Sequence, residues 1–361
     1  MLSRRIMPLY VIAALLIIGA AVYLFWPRPP LAIKSPDYVN PIPGITAENY
    51  PAVNGSTSTI PLSGLLLAKA MQLPAELRRG PYLSDPEHSL MVTFPRHLDV
   101  EKVRSYGLAH WRVRSDGTHG AYERLINDPE RRPNPREGRV GMRSMQHNTG
   151  LILVAREPSE DELALAKQKG VELDVRPIAL DAFVFVVNAT NTVESLSLDD
   201  IRQIYTDKIV DWEQVGGKAG NIAAFTRNKN SGSQELMDKL VMRGAKMPAH
   251  QDRMMMTMID ILDRIADTPN AIGYSVFYYE SIMAPNAKNR LMAIDDVQPT
   301  AESIADGSYP LVEPVYAVVR ADAKPDSPEV RLRNWLLSPN GQTLIRQSGY
   351  IPMLAAKTQD E

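Results

Sequence analysis

The chain has 361 residues, 44% of them hydrophobic and 23% charged, with 40 lysines and arginines against 42 aspartates and glutamates. That composition is ordinary for a globular protein of two or more domains, and a formal net charge of -2 offers no general basic surface to nucleic acid. Cysteine is absent, which removes disulfides, thiolate chemistry, Cys-ligated zinc and a lipid-modified N-terminal cysteine.

Arg4 and Arg5 precede an uncharged apolar run over residues 7–26. About 20 such residues cross a hydrocarbon core of roughly 30 Å, and the arginines favour a cytoplasmic N-terminus. The run predicts a single-pass anchor with Tyr23 and Trp26 at the outer interface. Gly19-Ala20-Ala21 leaves a cleaved signal peptide as the alternative. Residues 27–49 are proline-rich and read as a tether, so the folded part starts near Tyr50.

Asn54-Gly55-Ser56-Thr57-Ser58-Thr59 leads into a helix over residues 60–71, where Leu62, Leu65, Leu66 and Ala70 share one face. Serine and threonine are common N-caps, but this run of small polar residues exceeds what one cap requires. Asp116-Gly117-Thr118-His119-Gly120 opens another helix, over residues 121–126. His119 has neither a paired histidine nor a carboxylate cluster near it in sequence, so no metal is predicted. Residues 127–148 read as an inserted loop, with prolines at 129, 133 and 135 and arginines at 131, 132, 136, 139 and 143.

Strand-like runs follow at residues 151–155, 171–175, 182–187, 221–225, 271–279 and 314–320. Helices are predicted at 159–169 with Ser159 as cap, at 198–205 with Ser197 as cap, and after Ser327-Pro328 and Ser338-Pro339. Within residues 252–265, Met258, Ile261, Leu262 and Ile265 predict a core stripe. Wholly apolar strands alternating with helices predict an α/β fold with a parallel sheet covered on both faces.

Residues 227–234 read Arg-Asn-Lys-Asn-Ser-Gly-Ser-Gln and connect the strand 221–225 to a helix over 234–241. This outlines an anion site. First-turn N–H groups and the positive end of the helix dipole favour negative charge, and Gly232 lets an oxyanion approach the main chain. The Ser231 and Ser233 hydroxyls add donors, and Arg227 offers a bidentate fork. In open α/β sheets, ligands sit at such carboxyl ends of strands. For an isolated Ser-Gly-Ser the plainer reading, a Ser231 cap beside a solvated Arg227, would prevail.

Three hydroxyl-rich helix starts, one with an arginine, together resemble the oxyanion cradle of the phosphate-binding proteins that serve ABC importers, the PstS-like family. The resemblance runs from about Tyr50 to Met353. It is carried by R-N-K-N-S-G-S, by D-A-F-V-F-V-V-N and by I-Y-T-D-K-I-V-D-W-E-Q-V-G-G. The stretches G-S-T-S-T-I-P, T-H-G-A-Y-E-R-L-I, A-I-G-Y-S-V-F-Y-Y and N-G-Q-T-L-I-R-Q-S-G-Y add to it.

It implies a class II, two-lobed periplasmic-binding-protein fold behind the N-terminal membrane segment. Lobe 1 would comprise residues 50–187 and 313–353, and lobe 2 residues 188–312. The hinge strands would be 182–188 and 314–320, with 354–361 as a tail. By the same resemblance Ser58, Thr59, the Ile60 N–H and Thr118 would bind phosphate from lobe 1. Arg227, Ser231, Gly232 and Ser233 would close from lobe 2. Where the family carries an aspartate before a proline, accepting the phosphate proton, this chain has Arg156-Glu157-Pro158. Those two residues become candidates for altered selectivity between phosphate and sulfate. The segment between Met71 and Thr118 is also longer than in the family.

The implied function is a solute-binding protein, not an enzyme, that needs no cofactor. It would capture inorganic phosphate or a similar oxyanion and hand it to an ABC permease. It would be anchored in the inner membrane with its binding domain in the periplasm or outside the cell. The alternative is a membrane-anchored phosphate or anion sensor or assembly protein built on the same lobes.

Overall fold

The computed structural model describes residues 40–80, 89–94, 100–127 and 148–353. The anchor or signal at residues 7–26, most of the tether, residues 128–147 of the inserted loop and the tail at 354–361 lie outside the described residues. Among the described residues no helix is long and apolar enough to cross a membrane.

The strands in chain order are β1 (Ala52–Gly55), β2 (Glu76–Gly80), β3 (Ser89–Thr93), β4 (Thr149–Val154), β5 (Leu173–Asn188), β6 (Ser195–Leu196) and β7 (Ala223–Ala224). They continue with β8 (Thr226–Arg227), β9 (Met254–Met255), β10 (Ala271–Val276), β11 (Asn289–Leu291), β12 (Ala293–Ile294), β13 (Val312–Arg320) and β14 (Ile351–Pro352). The α-helices are α1 (Ile60–Ala70), α2 (Val100–His110), α3 (Gly117–Asn127), α4 (Glu160–Lys169) and α5 (Leu198–Ile204). After these come α6 (Gly232–Leu236), α7 (Met258–Asp267), α8 (Ala301–Ala305), α9 (Pro328–Leu336) and α10 (Pro339–Ser348). Helix α6 runs on as a π-helix over Met237–Met242.

The main sheet has the order β1-β4-β13-β5-β10-β7, with β11 and β14 also paired to β5. β1 and β4 are parallel, as are β10 and β7. β13, however, runs antiparallel to both β4 and β5, and β10 is antiparallel to β5. The expected parallel sheet is therefore corrected to a mixed one. A strand buried on both faces is apolar whichever way it runs; its direction is set by where the chain comes from, and β13 returns from far along the sequence.

Residues 171–175 and 182–187, expected as separate strands, both belong to the single long strand β5. Up to Ala182 it pairs with β13; from Phe183 it pairs with β10 and then also with β11. Pro177 lacks an N–H, yet the strand passes through it. It lies opposite Tyr316, where the register of β13 shifts, so the ladder is already irregular there. Beyond the change of partners, Phe183 and Phe185 pack edge to face at 5.4 Å, and each also meets the buried Tyr274.

The capping signals act as their chemistry requires. Ser159 with Glu162 and Ser197 with Asp200 form reciprocal capping boxes at α4 and α5. Within residues 252–265 the helix begins at the stripe itself: Gln251–Arg253 is a 3-10 turn, β9 follows, and Thr257 caps α7 through Asp260. Ile261, Leu262 and Ile265 are buried as the stripe predicts, whereas Met258 is only half-buried.

Candidate functional site

The first wall of the site is built where β1 turns into α1. A Cβ on Gly55 would collide with the Leu153 carbonyl and with Thr59 Oγ1, so the close approach of this turn to β4 requires glycine. Ser56 Oγ accepts from the Ala155 N–H at 3.0 Å and lies 2.7 Å from Thr118 Oγ1, which ties the turn to the start of α3. Ser58 is buried, and its carbonyl accepts from the Tyr350 hydroxyl at 3.0 Å. The Thr59 hydroxyl is shared between the Ser56 and Leu153 carbonyls at 2.9 and 2.8 Å. The Ile60 N–H bonds to the Thr57 carbonyl. Both groups assigned to phosphate by the resemblance thus hold the turn itself together, because a 3-10 turn leading into a helix already uses them.

The opposite wall is the loop after β8. The Arg227 guanidinium donates through Nε to the Met255 carbonyl at 3.1 Å and through Nη2 to the Met256 carbonyl at 3.0 Å. Its Nη1 donates to Ser233 Oγ at 3.3 Å. The Arg227 main-chain N–H donates to the Tyr274 hydroxyl at 2.9 Å, and that hydroxyl is hydrogen-bonded to Gln234 Oε1. Only 8% of Arg227 is exposed, and among the described residues no carboxylate ion-pairs with it. Burial lowers its pKa, but a guanidinium stays protonated in proteins. Ser231 caps α6 by accepting from the Gln234 N–H at 3.3 Å. The first-turn N–H groups that follow have no carbonyl one turn back to meet.

These walls line one open cleft of about 750 Å³. Ser58, Ile60, Thr118, Arg227, Ser231, Gly232 and Ser233 all line it, whereas Thr59 does not. The walls also touch. A Cβ on Gly232 would lie 2.6 Å from Thr118 Oγ1, and Asn230 Nδ2 lies 3.5 Å from His119 Nε2. Glycine at 232 is what allows this contact.

Arg156 and Glu157, the candidates for altered selectivity, are not among the lining residues. Arg156 is 3% exposed and donates through Nη1 and Nη2 to the two carboxylate oxygens of Glu162, each at 2.8 Å. Nη1 also donates to the Glu157 carbonyl at 2.8 Å, and the guanidinium lies over the Tyr122 ring. Glu162, fully buried, further accepts from the Ser159 N–H at 2.8 Å and meets His119 Nδ1 at 2.9 Å. The Glu157 carboxylate instead reaches Lys239 Nζ at 3.0 Å on a half-exposed surface. Sequence reasoning missed Glu162 as the anchor of Arg156, although the Ser159-x-x-Glu162 spacing was the available signal. It also missed Met256, Met258 and Met283 as cavity wall; their helical spacing carries no such information, since Met256 precedes α7 and Met283 ends a π-helix.

Residues 101–339 match the family described as the PBP superfamily domain. The chain belongs to the PBP superfamily. Among curated relatives of this PBP chain, the phosphate-binding protein PstS of Bacillus subtilis is 31% identical over 184 residues, covering 50% of this chain and 58% of that protein. Protein SphX of Synechococcus elongatus is 24% identical over 219 residues, covering 56% of this chain and 62% of that protein. The chain thus matches less than two thirds of the length of these relatives. Among solved structures, a substrate-binding protein with bound phosphate from Clostridium perfringens superposes with a TM-score of 0.57 at 20% identity, covering 84% of this chain and 98% of that one. An ABC-type phosphate transport receptor from Vibrio cholerae gives 0.55 at 19%, covering 83% and 98%. At such identity the likeness speaks for the fold, a mixed α/β periplasmic-binding-protein architecture.

Proposed function

We propose that the chain is a solute-binding protein that captures an oxyanion, inorganic phosphate foremost, and delivers it to an ABC permease. The observation that carries this reading is Arg227: a buried cation held only by neutral oxygens, lining a cavity with Ser58, Thr118, Ser231, Gly232 and Ser233. Asp260 attracts this cation without ion-pairing with it; a buried charge hydrogen-bonded only to neutral groups is costly, and a bound anion supplies a direct charged partner. The names of the curated relatives support phosphate as that anion. On this reading residues 50–187 with 313–353, and residues 188–312, act as the two lobes around the ligand. Residues 7–26 hold the binding domain on the outer side of the cytoplasmic membrane.

Calorimetry of the detergent-solubilised full chain tests the reading. Phosphate should bind, and Arg227→Met should weaken it at least tenfold, since a charge-assisted hydrogen bond contributes about 1.5–3 kcal/mol. An unchanged affinity in Arg227→Met would move the ligand to another place.

A further inference from the structure

We infer that His119 is a titratable cation of the anion site, whose protonation draws the oxyanion into the cleft and whose proton the bound oxyanion in turn retains. This rests on the oxyanion reading above. His119 lines the cleft next to Thr118, and its Nδ1 lies 2.9 Å from Oε1 of the fully buried Glu162. An ionised carboxylate only accepts, so Nδ1 carries a hydrogen in either charge state and a second proton goes to Nε2, on the side of the opposite wall. The neutral ring accepts there from Asn230 Nδ2 at 3.5 Å. For the charged ring, an end-for-end turn of the same amide presents Oδ1, which is buried without a hydrogen-bond partner. Either state keeps a bond between the walls.

The charge count around the ring decides what that proton does. Glu162 is already neutralised by the Arg156 fork, so a proton on His119 adds one net positive charge to the wall. On α3, Glu123 Oε1 is 3.6 Å from Nε2, but that side chain is half-exposed and solvent screens it. Asp116, just ahead of α3, pairs with Arg124. On α4, Asp161 lies 3.8 Å from Lys229 of the opposite loop, and both are exposed. From α6, Glu235 faces the Arg156–Glu162 pair. Among the described residues none of these gives His119 a buried counter-charge of its own. An oxyanion in the cleft does, and Arg227 lines the same cleft.

The test is calorimetry of the full chain with inorganic phosphate, comparing the parent with His119→Gln, each checked for its thermal unfolding transition. Phosphate itself titrates over this range, so the quantity read is the ratio of the two dissociation constants, variant over parent. The ratio should be close to one at about pH 8.5, where imidazole is neutral, and at least about fivefold at about pH 5.5, where it is charged. Binding and protonation are reciprocal, so one of the six histidine signals in the NMR spectrum of the parent chain should titrate about 0.7 pH unit higher with phosphate present. That measurement needs no variant. A ratio that does not change with pH, or six histidines that titrate alike with and without phosphate, would overturn the inference and leave the oxyanion reading standing. Failure of the parent to bind phosphate at either pH would overturn both.

Discussion

Arg156 and Arg227 are both buried, 3% and 8% exposed, and each is fixed by three hydrogen bonds from its guanidinium. What differs is the charge on their partners. Arg156 meets the Glu162 carboxylate in a fork, so its cation is neutralised within the fold. Arg227 meets two carbonyls and a hydroxyl, so its cation is oriented but not neutralised. Since arginine cannot shed its proton, a buried guanidinium such as Arg227, which Asp260 attracts without ion-pairing with it, favours an external anion. Residue type and burial are the same in the two cases; on the proposed reading, the formal charge of the acceptors separates a structural arginine from a binding one.

The sharpest way to break the comparison is to remove the internal counter-ion. Glu162→Ala leaves Arg156 buried and unpaired and should destabilise the fold by about 3–5 kcal/mol in urea unfolding. Arg227→Met, measured without ligand, should match or exceed the stability of the parent chain. Equal stability of Glu162→Ala and the parent would mean that the two arginines are equivalent after all.

A third buried charge adds the option closed to arginine. Asp181 is 3% exposed; Oδ1 accepts from the Ala182 and Tyr278 N–H groups at 2.8 and 3.0 Å, while Oδ2 is buried without a hydrogen-bond partner. Burial pushes its pKa up to about 7, against about 3.9 in an unfolded chain. The folded state then holds a proton that the unfolded state releases. Its contribution is fully present below about pH 4 and is lost as pH rises to about 7, on the order of 4 kcal/mol. Asp181→Asn should flatten this part of the profile, checked by urea unfolding of both proteins at pH 4, 5.5 and 7. Parallel profiles would show that Asp181 does not titrate in this window. The smallest effect belongs to the exposed pair: Glu157→Gln, which loses the contact with Lys239, should change stability by less than about 1 kcal/mol.

Much of this was legible before any coordinates. The Arg227 loop stands out because a cation, a Ser-Gly-Ser and a helix start fall within eight residues, all local features. The capping boxes at Ser159 and Ser197 are local as well. The fate of Arg156 was not legible as a site question, because the choice between facing the cavity and facing Glu162 depends on how α4 packs. The apolar wall was equally hidden: Leu90, Val276 and Met283 come from distant segments and share no periodicity. Strand direction failed for the same reason, since burial fixes composition but not polarity of the chain.

The position of β13 has a consequence for the order in which the molecule assembles. It lies between β4 and β5, which do not pair with each other, although it is separated from them by more than a hundred residues of chain. A growing chain that has not yet delivered Val312–Arg320 therefore has β4 and the first half of β5 synthesised but not joined, each with an open edge. Pairings of such long sequence separation close slowly. The half of the sheet that carries Ser58 and Thr118 becomes complete only when nearly the whole chain is present, so the site cannot form ahead of the protein.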